Sequence, residues 1–396
     1  MLFPSQNELL PAFLLSAFIV GSTATPTGYG NQHVENAMQK RAGLNIVKTT
    51  TTDTQTIDWV SLESQGQIAE MPPPRPSRDG PRPLSELEQA GAELGPAGTV
   101  PISRLNLDYL NNAPKKVLPE MQSFKRQNAG SHWYCQANQS VSNIGGTGTF
   151  SMFAPYTQSD ADFSLLQVAV TKHDVNIQAG RFPPFPGTQT VEAGWINWKE
   201  QVAQPHLFTY YTSNNYVQDG NNQGGWNTDF TGWVQVDATI HPGSVFTPLS
   251  VDGGAQNDLK IEYNLHGGNW WLAVEDKWIG YYPGSLFSAA STDPASSTLA
   301  GGSDTIYFYG EVTNNEEELT TTDMGSGEFA NKGYGKAGYI FNIAYTNPNN
   351  VSTHFNGPWR DSDTSRYTHE SHFLSGTSRG SYAFIGGPGA GGKVGA

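Results

Sequence analysis

The sequence predicts an all-β protein whose main domain is an antiparallel β-sandwich. Three observations predict it: ten short apolar or alternating runs lie between residues 150 and 385, turn residues bound them, and helical periodicity is nearly absent between them. Strand after strand without intervening helices is typical of antiparallel sandwiches and barrels. The predicted strands are Phe150–Phe153, Phe163–Thr171, Thr188–Asn197, Leu207–Thr212, Gly232–Ile240, Leu259–Leu265, Trp270–Val274, Thr305–Thr313, Gly338–Ala344 and Tyr382–Ile385.

The first 24 residues predict a signal peptide. Leu9–Val20 is an apolar core of signal-peptide length, and the small residues Ser22 and Ala24 that follow match a cleavage site. The core is too short to span a bilayer comfortably. We therefore expect a secreted, extracellular protein without a membrane partner. Cys135 is the only cysteine, so no intrachain disulfide forms.

Residues 25–125 predict an irregular propeptide, and residues 130–396 the sandwich domain. Residues 71–83 form a proline-rich linker, expected to be stiff and open to solvent and peptidases. Ser85 and Glu88 form a capping-box pattern that predicts a short helix ended by Gly95. The first part of the chain is thus accessory material in front of a β-domain.

The net charge of −14 falls almost wholly on residues 131–396, which hold 24 Asp and Glu against 11 Lys and Arg. This acidic balance argues against nucleic acid as a partner, because phosphate binding requires clustered cations. It suits a soluble protein that works in mild acid, where repulsion between carboxylates falls.

Glu192 and Glu311 are the candidate catalytic residues, because each interrupts a strand of aromatic or β-branched residues. Strand alternation places Glu192 on one face with Thr190, and Glu311 on one face with Tyr307 and Tyr309. Desolvation in such surroundings raises the pKa of a carboxyl group toward the range that is useful for proton transfer. From the pattern alone, both residues are also compatible with ordinary glutamates on a solvent face.

Seven sequence motifs follow one another over about two hundred residues. They are Thr190-Val-Glu-Ala-Gly-Trp195, Leu207-Phe-Thr-Tyr-Tyr-Thr-Ser213, Gly268-Asn-Trp-Trp-Leu272, Ile279-Gly-Tyr-Tyr-Pro283, Gly310-Glu311-Val312, Met324-Gly-Ser-Gly327 and Gly386-Gly-Pro-Gly389. With these motifs in this order, the chain resembles neprosin-type domains, the glutamic prolyl endopeptidases. Upstream, residues 57–64 are similar to the activation peptide of that family, so the resemblance runs from about residue 44 to the C-terminus.

The resemblance implies a secreted zymogen that cleaves after proline under acid conditions, with Glu192 and Glu311 as the catalytic pair. Its expected partners are proline-containing peptides and its own propeptide as intramolecular inhibitor, and we expect a monomer without metal or cofactor. Two carboxyl groups suit amide hydrolysis because one removes a proton from water while the other donates a proton to the substrate. The chain departs from the family where Tyr309-Gly-Glu311 replaces the common Gly-Gly-Glu, and where one cysteine stands against several in plant members.

Five aromatic residues are expected to line the substrate cleft, because proline rings stack well on aromatic faces and proline-rich ligands lose little entropy on docking. If the domain cleaves after proline, the linker at residues 71–83 is also a candidate self-processing site. The five aromatic residues are Trp195, Tyr307, Tyr309, Trp270 and Tyr282.

Two other functions are compatible with the pattern. An aromatic-faced sandwich with paired carboxylates also describes glycosidases and carbohydrate-binding modules, although sandwich glycosidases usually place both carboxylates on one strand. The third interpretation is a catalytically inactive surface protein of the same fold.

Two other motifs do not indicate a site. Ser378 lies in a G-x-S-x-G match, but no histidine follows it to serve as base. His369 and His372 lack the spacing of a helical metal site.

Overall fold

Two antiparallel β-sheets, packed face to face, form the body of the molecule in a computed structural model of the chain. The structure describes residues 41–78, 80–104, 116, 130–176, 186–217, 222–288, 291, 293–373 and 376–395. The predicted signal peptide, residues 1–24, lies outside the described residues.

Strands dominate the described chain. The α-helices that lie wholly within the described ranges are two single turns, α1 (Ser285–Ser288) and α2 (Pro294–Ser297), and no helix among the described residues is long and apolar enough to cross a membrane. In chain order the strands are β1 (Ile46–Thr51), β2 (Thr56–Ser61), β3 (Leu84–Ser85), β4 (Thr99–Ser103), β5 (Ser131–Asn143), β6 (Gly145–Ser151), β7 (Ser164–Asn176), β8 (Pro186–Asn197), β9 (His206–Thr212), β10 (Gly224–Trp226), β11 (Val234–Gln235), β12 (Phe246–Thr247), β13 (Asp258–His266), β14 (Asn269–Val274), β15 (Lys277–Pro283), β16 (Ser303–Asn314), β17 (Gly338–Thr346), β18 (Ser352–His354), β19 (Trp359–Asp361), β20 (Thr368–His372) and β21 (Tyr382–Gly386).

The sandwich core lies between a seven-stranded and a nine-stranded sheet. The first has the order β10-β9-β8-β7-β16-β5-β19. The second has the order β11-β15-β14-β13-β6-β17-β21-β20, with β18 paired to β17. Alternating residues of both sheets point inward and form one large apolar cluster that includes Val168, Val191, Phe308, Ile261 and Leu272. The predicted antiparallel β-sandwich is confirmed.

The N-terminal segment, residues 41–104, is more regular than predicted. Its strands β1, β2 and β4 form a three-stranded antiparallel sheet, and β3 pairs with β12 of the body. The predicted helix after Ser85 is absent. The Ser85 backbone N–H does bond Glu88 Oε2 at 3.1 Å, but the Ser85 hydroxyl donates to the carbonyl of Thr239 at 2.6 Å instead of capping a helix. Tertiary pairing to the body therefore overrides the local capping signal.

The proline-rich linker is fixed to the body and is not a free spacer. Pro73 and Pro74 are exposed, as the sequence predicts, but the Trp278 indole N–H donates to the Pro73 carbonyl at 2.9 Å. Arg78 forms an ion pair with Asp258 at 2.5 Å. The linker thus runs over the outer face of the nine-stranded sheet.

The strands of the structure outnumber the ten predicted, since β5, β10, β12, β18, β19 and β20 were also not predicted, and two of the differences have a local cause. In the predicted strand over residues 232–240 only β11 is paired, because Asp237 Oδ1 accepts the N–H groups of Thr239 and Ile240 at 2.8 Å and turns the chain. Strand β15 was not predicted, since Gly280 breaks its apolar pattern. A Cβ at Gly280 would lie 2.4 Å from the Trp233 ring, so packing against that ring requires glycine there.

Candidate active site

Glu192 and Glu311 lie on neighbouring parts of one sheet face. Glu192 is in β8 and Glu311 in β16, and the single strand β7 separates these two strands in the seven-stranded sheet. Glu192 lies opposite Ala169 of β7, and Glu311 lies opposite Leu165. The residues beside them in sequence belong to the sandwich core, so both glutamates point to the outer face of this sheet. This is the arrangement that strand alternation predicts.

An aromatic cluster surrounds the two carboxylates on that face. Both glutamates have 0% exposure although they point away from the sandwich core. The outer face of this sheet is therefore shielded from solvent around the two glutamates. A charged carboxylate in such a place requires hydrogen-bond or ion-pair partners. The members of the cluster are Tyr134, Phe163, Leu165, Ala169, Ile196, Trp198, Phe208, Tyr210, Tyr216, Trp226, Phe230, Tyr307 and Tyr309.

Lys116 reaches both carboxylates at once. Its Nζ lies 2.5 Å from Glu192 Oε2 and 3.3 Å from Glu311 Oε2, and the lysine side chain is 1% exposed. The ammonium also lies 5.3 to 5.7 Å from the ring centroids of Tyr309, Phe208 and Trp226, a distance at which cation–π attraction operates. One buried cation thus joins two buried carboxylates that are 119 positions apart in sequence.

Four neutral side chains of the described residues donate hydrogen bonds to Glu192, the longest from the Thr190 hydroxyl to Oε1 at 3.5 Å. The Tyr216 hydroxyl donates to Oε1 at 2.6 Å, Gln167 Nε2 donates to Oε2 at 2.6 Å, and the Tyr309 hydroxyl donates to Oε2 at 3.2 Å. Burial, together with the charge of Glu192, raises the pKa of Tyr216 and of Tyr309 well above the ordinary value of 10. Both phenols therefore stay protonated and serve as donors.

Glu311 has a different set of partners. His132 Nδ1 lies 2.6 Å from Glu311 Oε1, and the Tyr134 hydroxyl donates to the same oxygen at 3.2 Å. Burial pushes the pKa of Glu311 up, but the charge of Lys116 and the hydrogen bond to His132 outweigh burial and hold the pKa below 4.5. Oε2 of Glu311 makes the ion pair with Lys116 but no hydrogen bond within the described chain.

Local backbone features shape the space around Glu192. A Cβ at Gly194, two residues further along β8, would lie 2.0 Å from the Leu166 carbonyl oxygen and 2.8 Å from Gln167 Cβ. Glycine therefore leaves room for the Gln167 side chain beside Glu192. Tyr216 has a φ of 57°, in the left-handed region that bulky residues seldom adopt. Backbone strain of this kind is concentrated at functional sites, where surrounding structure holds it in place.

Of the five predicted cleft residues, the structure brings one, Tyr309, into contact with a carboxylate, by its hydrogen bond to Glu192. Tyr307 lies on the same face, with its hydroxyl 3.1 Å from His173 Nε2. The other three lie in the core between the sheets, away from the carboxylates. Trp195 is on the opposite face of β8, where its indole N–H donates to Phe153, and Trp270 and Tyr282 belong to the inner face of the nine-stranded sheet.

Sequence reasoning missed five residues that contact the pair. Gln167, His132 and Tyr134 share the outer face of the seven-stranded sheet, so alternation along β5 and β7 could have identified them. The other two lie outside the strands and gave no periodic signal. The five residues are Lys116, His132, Tyr134, Gln167 and Tyr216.

The histidines near the C-terminus have structural partners. His369 Nδ1 lies 2.7 Å from Asp361 Oδ1, and its ring stacks on Trp359. His372 stacks on Tyr382. Within the described ranges, no group of three or more His, Cys, Asp or Glu residues is placed to hold a metal ion.

Comparison with family models identifies the family of this chain. A family model described as Neprosin matches residues 160–388, more than half of the chain. Among solved structures, the chain is similar to Scytalido-glutamic peptidase with a peptide-based transition state analog, at 7% identity and a TM-score of 0.31, over 65% of this chain and 97% of that one. It is also similar to SCP-B, a member of the Eqolisin family of peptidases, in complex with the tripeptide Ala-Ile-His, at 6% identity and a TM-score of 0.28, over 65% and 98%.

Proposed function

The chain belongs to the neprosin family, and from that premise we propose that it is a secreted, acid-active glutamic endopeptidase made as a zymogen. Family membership supports a peptidase. The observation that carries the catalytic assignment is that two fully buried carboxylates, Glu192 and Glu311, lie within 3.3 Å of one ammonium nitrogen. Once Lys116 has left, the two carboxylates would repel each other if both were ionised, so their titrations would couple and one would hold a proton while the other is ionised.

The proposed reaction divides acid and base work between the two glutamates. The ionised carboxylate takes a proton from water, the hydroxide attacks the peptide carbonyl carbon, and the protonated carboxyl donates its proton to the leaving nitrogen. Besides Lys116, His132 is the described contact of the pair that can carry positive charge, and it bonds Glu311. The other described contacts of Glu192 are neutral donors. We therefore assign Glu311 as the base and Glu192 as the acid.

Cleavage after proline is supported by the surroundings of the pair. Tyr309 and Trp226 lie on the same sheet face as the carboxylates, within an aromatic cluster. Proline rings stack on aromatic faces, and a stiff proline-rich substrate loses little entropy when it docks. Proline also has no backbone N–H group, so an aromatic site that binds it need not supply a hydrogen-bond acceptor there.

The zymogen proposal is supported by the position of Lys116. This residue lies in the predicted propeptide, and its ammonium occupies the space between the carboxylates where water and substrate would react. A cut within the linker at residues 71–83 would leave β3, β4 and Lys116 on the side of the body. Release of the catalytic pair therefore requires a cut C-terminal to Lys116, and N-terminal sequencing after acid treatment should give a start between residues 117 and 131.

A substrate comparison tests the proposed activity. The full-length chain, incubated at about pH 4.5, is given a proline-containing peptide, the same peptide with alanine in place of proline, and a soluble β-glucan. We expect cleavage on the carboxyl side of proline, slower cleavage of the alanine peptide, and no new reducing ends in the glucan. Cleavage of the glucan alone would contradict a peptidase, and no cleavage of any substrate would favour an inactive protein of this fold.

A further inference from the structure

The outer face of the nine-stranded sheet carries large aromatic side chains that the sandwich core does not use. Trp271, Trp278 and Tyr281 project from β14 and β15 on the side away from the core, yet each is at most 5% exposed. Glu262 of β13 lies beside them and is 6% exposed. We call these four residues, with Asp258, Glu275 and Asp276 at their border, the acidic aromatic face.

The chain's own residues 69–78 cover part of this face. The Ala69 N–H donates to the Tyr281 hydroxyl at 3.0 Å, and the Trp278 indole N–H donates to the Pro73 carbonyl at 2.9 Å. The Arg75 guanidinium lies 4.8 Å above the Trp278 ring and forms an ion pair with Glu262. Aromatic and acidic groups of the face thus bind one proline carbonyl and one arginine.

Ser77 and Arg78 contact the acidic border of the face. The Ser77 hydroxyl donates to Asp276 Oδ2 at 2.5 Å. Arg78 bonds the Asp258 carboxylate at 2.5 Å and the Asp258 carbonyl at 2.9 Å, and it forms an ion pair with Glu275 at 2.9 Å. Three carboxylates therefore bind two arginines that are three positions apart, and a fourth, Asp276, binds the serine next to Arg78.

These contacts are the ones with which proteins bind proline-rich ligands: an indole N–H on a proline carbonyl, rings beneath the segment, and carboxylates on a nearby arginine. We propose that the acidic aromatic face is a docking site for proline-rich, arginine-containing segments of substrate proteins, occupied by residues 72–78 until the N-terminal segment leaves. Its availability to substrate rests on the proposed zymogen release. The site is on the opposite sheet from Glu192 and Glu311, so it holds a substrate without cutting it.

The open surface beyond Arg78 has room for a longer ligand. A cavity of about 510 Å³ begins at Arg78 and Asp258 and continues across β6, β17 and β18, where polar side chains, Phe341 and Ala344 line it. Because this lining holds Lys260 as well as Asp258, any attraction for a basic segment comes from the acidic charge of residues 131–396 as a whole. The lining residues past Asp258 include Thr147, Thr149, Asn342, Ser352 and His354.

The first test needs neither activity nor release. In the full-length chain, Arg75→Glu with Arg78→Glu repels the chain's own segment from the face, and a fluorescent peptide Met-Pro-Pro-Pro-Arg-Pro-Ser-Arg is added at pH 7. Fluorescence anisotropy should show binding to this chain and at least about tenfold weaker binding to the unaltered chain, whose face is occupied.

Control variants identify the face as the binding site. In the same double-variant background, Glu262→Gln should weaken peptide binding by about tenfold, because a charge-assisted hydrogen bond is lost. Glu370→Gln, an exposed carboxylate on the same sheet, should leave binding unchanged. A peptide with glutamate at both arginine positions should not bind. Failure of the double variant to bind the peptide, or equal binding in Glu262→Gln, would overturn the proposal.

A second test separates docking from zymogen release. The unaltered chain is treated with acid, returned to pH 7 and titrated with the same peptide. If the N-terminal segment has left, the body should bind as tightly as the double variant does, and weaker binding by tenfold or more would count against the docking site. If the segment stays attached, the release proposal fails, while the double-variant result still decides the docking site.

Discussion

On the outer face of the seven-stranded sheet, Lys116 meets Glu192 and Glu311 with no side chain more than 1% exposed. On the outer face of the nine-stranded sheet, Arg75 and Arg78 meet their carboxylates while they remain 25% and 29% exposed. In both places a basic residue of the predicted propeptide neutralises carboxylates of the body. The two faces differ in how deeply these ion pairs are buried.

The burial of each ion pair determines how much the loss of one partner destabilises the fold. A buried ion pair costs desolvation on formation, and removing one partner leaves an uncompensated charge that water cannot solvate. A half-exposed pair is screened, and water replaces a lost partner. The contact of Lys116 is therefore the one on which the covered state of the proposed catalytic pair depends, whereas the arginines mainly hold the linker in position.

The largest effect is expected for Lys116→Ala. Removing the ammonium leaves Glu192 and Glu311 buried together without a countercharge, so the free energy of unfolding at pH 7 should fall by about 3–5 kcal/mol. Urea denaturation measures this. As a control, Lys336→Ala removes an exposed lysine that pairs with Asp252 and should produce no measurable change. If Lys116→Ala lowered the free energy of unfolding no more than the control does, burial of the ion pair would not determine its contribution to stability.

A smaller effect is expected for Arg75→Ala and for Arg78→Ala. Each removes a partly exposed ion pair, and in the same urea assay each should lower the free energy of unfolding by about 1 kcal/mol. Arg360→Ala, which removes an exposed arginine of β19, is the matched control. If either linker arginine proved as costly to remove as Lys116, the contrast between the two faces would be lost.

The smallest expected effect is a difference in the pH at which Glu275 and Glu311, one on each face, become protonated. Burial raises the pKa of Glu275 above 4.5, whereas Lys116 and His132 hold the pKa of Glu311 below 4.5. As pH falls, Glu275 is protonated first and its pair with Arg78 weakens. The stabilisation from ionised Glu311 is present above pH 4.5 and is lost only as pH falls through its lower pKa.

Carbon-13 NMR of the glutamate carboxyl groups measures both titrations. In the full-length chain we expect a midpoint above 4.5 for Glu275 and below 4.5 for Glu311. A reversed order would mean that acid uncovers the catalytic pair before it loosens the linker, and would contradict the electrostatic difference described for the two faces.

The sequence was sufficient for the sandwich and for the face that carries Glu192 and Glu311, because both follow from period-two alternation in long strands. The same alternation places Trp195 on the face of β8 opposite Glu192, because the two residues are three positions apart, so the pattern did not support Trp195 as a cleft residue. Sequence order alone also could not tell that Trp270 and Tyr282 face the core of the other sheet.

Long-range partners account for what could not be predicted. Lys116 lies 76 positions from Glu192 and 195 from Glu311, outside any regular element, so no local pattern marks it. The capping box at Ser85 failed for the same reason, because Thr239 of the body competes for the hydroxyl. The linker's composition predicted the exposure of Pro73 and Pro74 but not the burial of Pro72 and Pro83, nor the acidic aromatic face to which the linker is fixed.

The most direct test of the account is the hydrolysis of a proline-containing peptide at about pH 4.5 by Glu192→Gln and by Glu311→Gln. Each chain is first processed by affinity-tagged unaltered enzyme that is then removed, so that maturation and catalysis are separated, and Glu370→Gln is the control. We predict that kcat/KM falls about 10²–10⁴-fold in each of the two variants and is unchanged in the control. Undiminished kcat/KM in either Glu192→Gln or Glu311→Gln would contradict the catalytic pair.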